Sequence, residues 1–76
     1  MLTLANIRKG EFFRILSVSN IEASLLDKLK IFGFIEGMEG SVKRVAPFGD
    51  PLEVLIDETA VSIRCCDASK ILVEKI

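Results

Sequence analysis

The residues of this 76-residue chain that could do metal or thiol chemistry are few and sit together: Cys65, Cys66 and Asp67. Thiolates are soft ligands for transition metals, and a neighbouring carboxylate could complete part of a site. Their spacing argues against one. Successive strand residues point to opposite faces, whereas a tetrahedral site favours Cys-x-x-Cys. Cys65 is therefore read as a small core hydrophobe and Cys66 as a residue at a strand end. No metal ligand or cofactor is expected, the alternative being a carrier that holds a loosely bound transition metal through Cys65 and Cys66. A bond between neighbouring cysteines is strained, so they build no disulfide framework, in keeping with a reducing compartment.

Other chemistry has less to build on. The chain has no His and no Tyr, so neither a Ser-His nor a Cys-His pair can exist. Glu36 with Glu39, or Glu53 with Asp57, could be drawn as an acid and a base, but scattered carboxylates of this kind read as solvated surface charge. No Gly-x-x-x-x-Gly-Lys run is present, so nucleotide binding is not expected. Ten Lys and Arg are interspersed with eleven Asp and Glu, for a net charge of −1, which leaves no basic stripe for a phosphate backbone and disfavours DNA or RNA as a partner. The first residues lack the basic leader and apolar run of a signal peptide, and nothing approaches the ~18 apolar residues of a membrane span. The expectation is a cytoplasmic protein, not an enzyme, that works through protein contacts without inserting into a membrane.

The elements that position these residues follow from periodicity. Residues 1–76 are read as one domain with a small core, since a chain this short buries only roughly 60–65% of its unfolded surface. Leu52, Val54 and Ile56, then Val61 and Ile63, alternate with mostly polar neighbours, predicting two strands with one apolar face each. Before them, Ala46-Pro47-Phe48-Gly49-Asp50-Pro51 lacks an N–H at both prolines and must be a turn. Glu11 to Val18 is a strand apolar on both faces, with Phe13 and Ile15 assigned inward. Ser19-Asn20-Ile21-Glu22 has capping-box spacing, so a helix should begin there, carry Leu25, Leu26, Leu29 and Phe32 as an apolar stripe against the sheet, and end at Gly33. Phe34 to Gly40 is a tight connection. In the strand Ser41 to Ala46, Val42 and Val45 are three apart, which predicts a bulge between them.

Leu4 and Ile7 predict an apolar lid ahead of the turn at Gly10, Asp67 a cap on a helical turn through Lys70, and Ile71 to Ile76 a closing strand. The predicted core is Leu25, Leu29, Phe32, Val54, Ile56, Val61, Ile63, Ile71 and Val73. Five short strands with one helix between the first and second give a mainly β (α+β) fold, and closure into a small barrel removes the open edges.

These residues resemble the FeoA family, small SH3-like proteins of ferrous-iron transport. The likeness rests on Phe32-Gly33 with Gly37, on Ala46-Pro47-Phe48-Gly49-Asp50-Pro51 between two strands, on Ile63-Arg64, and on Ala68, Ile71 and Val73. It spans nearly the whole chain, and the hexapeptide is its most specific part. Asp57-Glu58-Thr59, where the family often has a Gly, and Cys65-Cys66 depart from the pattern. The resemblance implies an SH3-like barrel and a cytoplasmic accessory protein that binds the cytoplasmic part of the membrane-bound ferrous-iron transporter. The same barrel also occurs in metal-responsive regulators, where a separate helix-turn-helix domain binds DNA, and that is the second reading.

Two surfaces offer themselves to a partner. Pro47 and Phe48 lie at a loop tip, where Phe48 either anchors a partner or folds back to plug the barrel. Phe12 and Leu16 on the first strand form a partner-facing patch unless helix and lid cover them. Weak self-association stays open.

Overall fold

The computed structural model describes residues 2–18 and 21–76. Its elements in chain order are a 3-10 turn Leu4–Asn6, β1 Phe12–Val18, α1 Ala23–Ile31, β2 Glu39–Val45, β3 Leu52–Ile56, β4 Thr59–Ile63, α2 Cys65–Ala68 and β5 Ile71–Lys75. All five strands are antiparallel in one sheet of order β4-β3-β2-β1-β5.

The expected closure into a barrel is corrected. β4 and β5 are the two edges of the sheet and do not pair with each other. The free side of β5 is taken by the lid instead, where Val73 N–H donates to the Leu2 carbonyl at 3.0 Å and Thr3 bridges Leu72. α2 lies in the connection between β4 and β5. Curvature comes from two irregularities, one between Ile15 and Ser17 against β5, the other between Val42 and Arg44 against β3. The second is the bulge that the three-residue spacing of Val42 and Val45 predicts: the extra residue Lys43 lets the chain change face between them.

Inside the curve lie Phe13 and Ile15 from β1, Val42 from β2, Leu52, Val54 and Ile56 from β3, Val61 and Ile63 from β4, and Ile71 and Val73 from β5, all buried. Leu4 and Ile7 close one part of the core as the lid predicted from sequence. Of the expected helical stripe only Leu29 is buried; Leu25 packs partly against the core and Phe32 is 44% exposed. A helix of nine residues touches the core along barely two turns, too short for a four-residue stripe to stay on one buried side. The capping box expected from Ser19 falls partly outside the described residues. α1 itself starts at Ala23 with Glu22 at its N-cap, and the Glu22 side chain makes no capping bond.

The helix end explains a core residue missed in sequence. Gly33, at φ 97°, takes the left-handed conformation, its N–H donates to the Lys30 carbonyl at 3.1 Å, and Phe34 N–H reaches back to the Leu29 carbonyl at 2.9 Å. This Schellman pattern brings the residue after the glycine against the last turn of the helix, and Phe34 is accordingly 1% exposed beside Leu29. β2 also begins earlier than predicted, at Glu39, because Gly40 is a strand residue. A Cβ on Gly40 would lie 2.5 Å from the Leu55 carbonyl oxygen, 2.7 Å from Ile56 Cδ1 and 3.0 Å from Phe13 Cζ.

Two substitutions test this packing by urea unfolding. Leu29→Ala should cost on the order of 2–5 kcal/mol; a loss below about 0.5 kcal/mol, the usual range for surface changes, would place Leu29 outside the core. Gly40→Ala should destabilise more than Gly37→Ala, since the first meets backbone and core at short range, whereas the second meets only left-handed strain of about 1–2 kcal/mol.

Candidate functional site

The hexapeptide forms a braced loop between β2 and β3. Ala46 N–H donates to the Pro51 carbonyl at 3.1 Å, and Gly49 N–H donates to the Ala46 carbonyl at 2.7 Å with Gly49 at φ 83°. A second brace comes from α2. The Cys65 N–H donates to Asp50 Oδ1 at 2.9 Å, and the Cys65 thiol donates to the Gly49 carbonyl at 2.8 Å. Asp50 thus serves the first amide of α2 from a distant part of the chain, the role that an N-cap side chain usually fills locally. Arg64, which stands at the N-cap, makes no side-chain capping bond.

This arrangement settles the cysteines. They lie in the first turn of α2 rather than at a strand end, and α2 starts two residues before the Asp67 cap expected from sequence. Cys65 is half-buried, packed on the core without belonging to its fully buried set, and Cys66 is exposed. Burial, followed by the Asp50 carboxylate, pushes the Cys65 thiol up from its ordinary value, so it is held as the neutral donor that its bond to Gly49 requires. Among the described residues no three His, Cys, Asp or Glu side chains are grouped to hold a metal ion.

The bracing leaves the loop tip outside. Phe48 is 98% exposed, which excludes the plug, and Pro47 is exposed beside it. Next to the loop lies a groove of about 470 Å³ lined by Arg44, Val45, Pro47, Pro51 and Glu53. Its floor is mixed, with no aromatic side chain, since Glu53 pairs with Arg44 at 3.1 Å and with Lys43 at 3.9 Å.

Phe12 and Leu16 lie elsewhere. Neither helix nor lid covers them: Phe12 is 60% and Leu16 48% exposed. They do not form one patch either, because Arg14 stands between them, bonded to Glu39 at 2.8 Å and to Glu74 at 2.6 Å, while Leu16 is the unpaired residue of the β1 bulge. Phe12 instead heads an outer row with Ser41, Leu55 and Ala60 in register across four strands. The four sequence-chosen residues are thus split between the braced loop and the outer sheet face. Sequence reasoning missed Asp50 as the residue that fixes the loop; the pairing with Cys65 crosses 15 positions and leaves no periodic trace.

No helix among the described residues is long and apolar enough to cross a membrane. An iodoacetamide time course at neutral pH, read by mass spectrometry, checks the site. Exposed Cys66 should be alkylated well before Cys65, whose thiol is half-buried, protonated and bonded; equal rates would break the clasp described above.

A family model described as the FeoA domain matches residues 2–75. No curated protein matches the chain. Among solved structures, the FeoA protein from Chlorobium tepidum is similar at 28% identity and a TM-score of 0.93, over 99% of this chain and 70% of that one. The FeoA of Stenotrophomonas maltophilia, complexed with zinc and described as a prokaryotic SH3 domain protein and a candidate ferrous iron transport activating factor, is 25% identical with a TM-score of 0.83, over 97% of this chain and 91% of that one. IdeR from T. acidophilum, at 21% identity and a TM-score of 0.86, shares the fold over 99% of this chain and 34% of its own length.

Proposed function

Because the chain belongs to the FeoA family, which is associated with ferrous iron transport, we propose that it is a cytoplasmic accessory protein that binds the cytoplasmic part of the ferrous-iron transporter and supports uptake through that contact. The observation that carries the reading is Phe48. An aromatic side chain left 98% exposed contributes nothing to the fold, yet its loop is held by four hydrogen bonds, two within the loop and two from Cys65. A rigid apolar anchor of this kind enters a partner's pocket with little ordering cost, which is how a few residues come to dominate an interface. Pro47, with its fixed φ, presents the ring and adds to the contact. Phe12 and Leu16, parted by Arg14, are two further exposed apolar side chains on the sheet face, each separate from the loop.

A metal-carrier role through Cys65 and Cys66 is less well supported, because the Cys65 thiol is engaged as a donor and held neutral. The zinc of the Stenotrophomonas protein belongs to that protein.

Calorimetric titration of the transporter's cytoplasmic part with wild type and Phe48→Ala tests the proposal. The variant should melt within a degree or two of wild type, as a fully exposed side chain gives up no core contact, and should lose on the order of 2 kcal/mol of binding free energy, about 30-fold in affinity. Unchanged affinity would remove the loop from the interface. Cys65→Ser with Cys66→Ser should leave binding largely intact; loss of tight ferrous-iron binding in that double variant would move the function to the metal.

A further inference from the structure

β4 is an edge strand without the usual protection. Natural sheet edges carry a lysine, a proline or a bulge that stops another strand from adding to them. Thr59-Ala60-Val61-Ser62-Ile63 has none of these, pairs in unbroken register with β3, and packs extensively against no other element. The two-residue turn makes Ile56 and Thr59 a hydrogen-bonded pair, so bonding alternates along the hairpin and Ala60 and Ser62 turn their N–H and C=O groups away from β3. Both residues are exposed.

We propose that this edge pairs with the same edge of a second copy, antiparallel and centred on Val61, to give a ten-stranded sheet across a two-fold axis. The sequence from Glu58 to Arg64 is self-complementary about that centre. Ala60 meets Ser62 of the partner copy, and these are the residues whose backbone groups face outward, so four new hydrogen bonds form in regular geometry. Val61 meets its counterpart at the rim of the core, where it is the most exposed of the buried set at 7%. Thr59 meets Ile63. At both ends Glu58 meets Arg64; each is exposed, and neither has an ion-pair partner among the described residues, although Arg14, Lys43, Arg44 and Lys75 do. Shifting the centre to Ala60 or to Ser62 loses both charge pairs, so the register is specified by charge as well as by backbone.

Sedimentation equilibrium of the whole protein over a range of concentrations reads the association. Wild type should pass from monomer to dimer as concentration rises. Glu58→Arg and Arg64→Glu should each raise the dissociation constant roughly fivefold or more, since each places like charges opposite one another twice. The double variant E58R/R64E should restore it, a rescue that a merely structural role of either residue would not give. Circular dichroism confirms that the variants fold. Ser62→Pro, which removes an outward N–H and leaves the β3 ladder intact, should abolish the dimer. A wild type that stays monomeric to its solubility limit, a dimer indifferent to the reversals, or a double variant no better than the singles would overturn the proposal. So would protection of the Ala60 and Ser62 amides from hydrogen exchange only when the transporter's cytoplasmic part is added, which would give the edge to a partner's strand.

Discussion

One sheet must supply both walls of the core. Among the described residues no second sheet packs against this one, and its strands bury mainly one face. The sheet carries two bulges, at Leu16 in β1 and Lys43 in β2, and residues from all five strands gather in one buried cluster. Close approach at the fold line explains Gly40: with Phe13 on one side and Leu55 and Ile56 on the other, no side chain fits. The ends of the curve are then stopped by pieces outside the sheet, Leu4 and Ile7 from the lid and Phe34 from behind the helix.

That economy sets what could be read in advance. β3, β4 and β5 lie with one face in and one out, so period-two alternation located them and selected Val54, Ile56, Val61, Ile63, Ile71 and Val73 correctly. Val42 and Val45, three apart, revealed the bulge for the same reason. Phe34 escaped because its burial depends on the Schellman turn at Gly33, a signal of backbone conformation rather than of period; an apolar residue directly after a helix-ending glycine is the trace that could have found it. Phe32 was placed inside for the opposite reason, since helical spacing continues past the point where a nine-residue helix leaves the core. The barrel expectation failed at β5, where the chain's own N-terminal segment supplies the hydrogen bonds that closure by β4 would have supplied.

The site was legible in part. Ala46 to Pro51 announces a turn through its prolines, and Phe48 at its tip was visible as an anchor or a plug; the exposure of the ring removes the plug. The clasp could not be read, because Asp50 and Cys65 meet through the return of the chain after β4 rather than through any local spacing. It also changes the meaning of Cys65-Cys66-Asp67. In a strand those residues would be scattered across two faces; at the head of α2 the first of them becomes a fastener, its amide and its thiol both turned on the loop.

Fold and function then divide the chain between them. The inner faces are consumed by the core, and the clasp and the lid complete it, so stability requires neither the ring of Phe48 nor the bare uncharged edge of β4. An exposed aromatic on a braced loop gives up the favourable burial of a large apolar ring, and an open edge leaves backbone donors and acceptors facing outward, where they invite unwanted pairing. Such features are tolerable where their completion comes from outside the chain. The loop tip and the edge strand are the parts of the described chain that the core leaves outside, the first held in place by the clasp from Cys65 and the second by its pairing with β3.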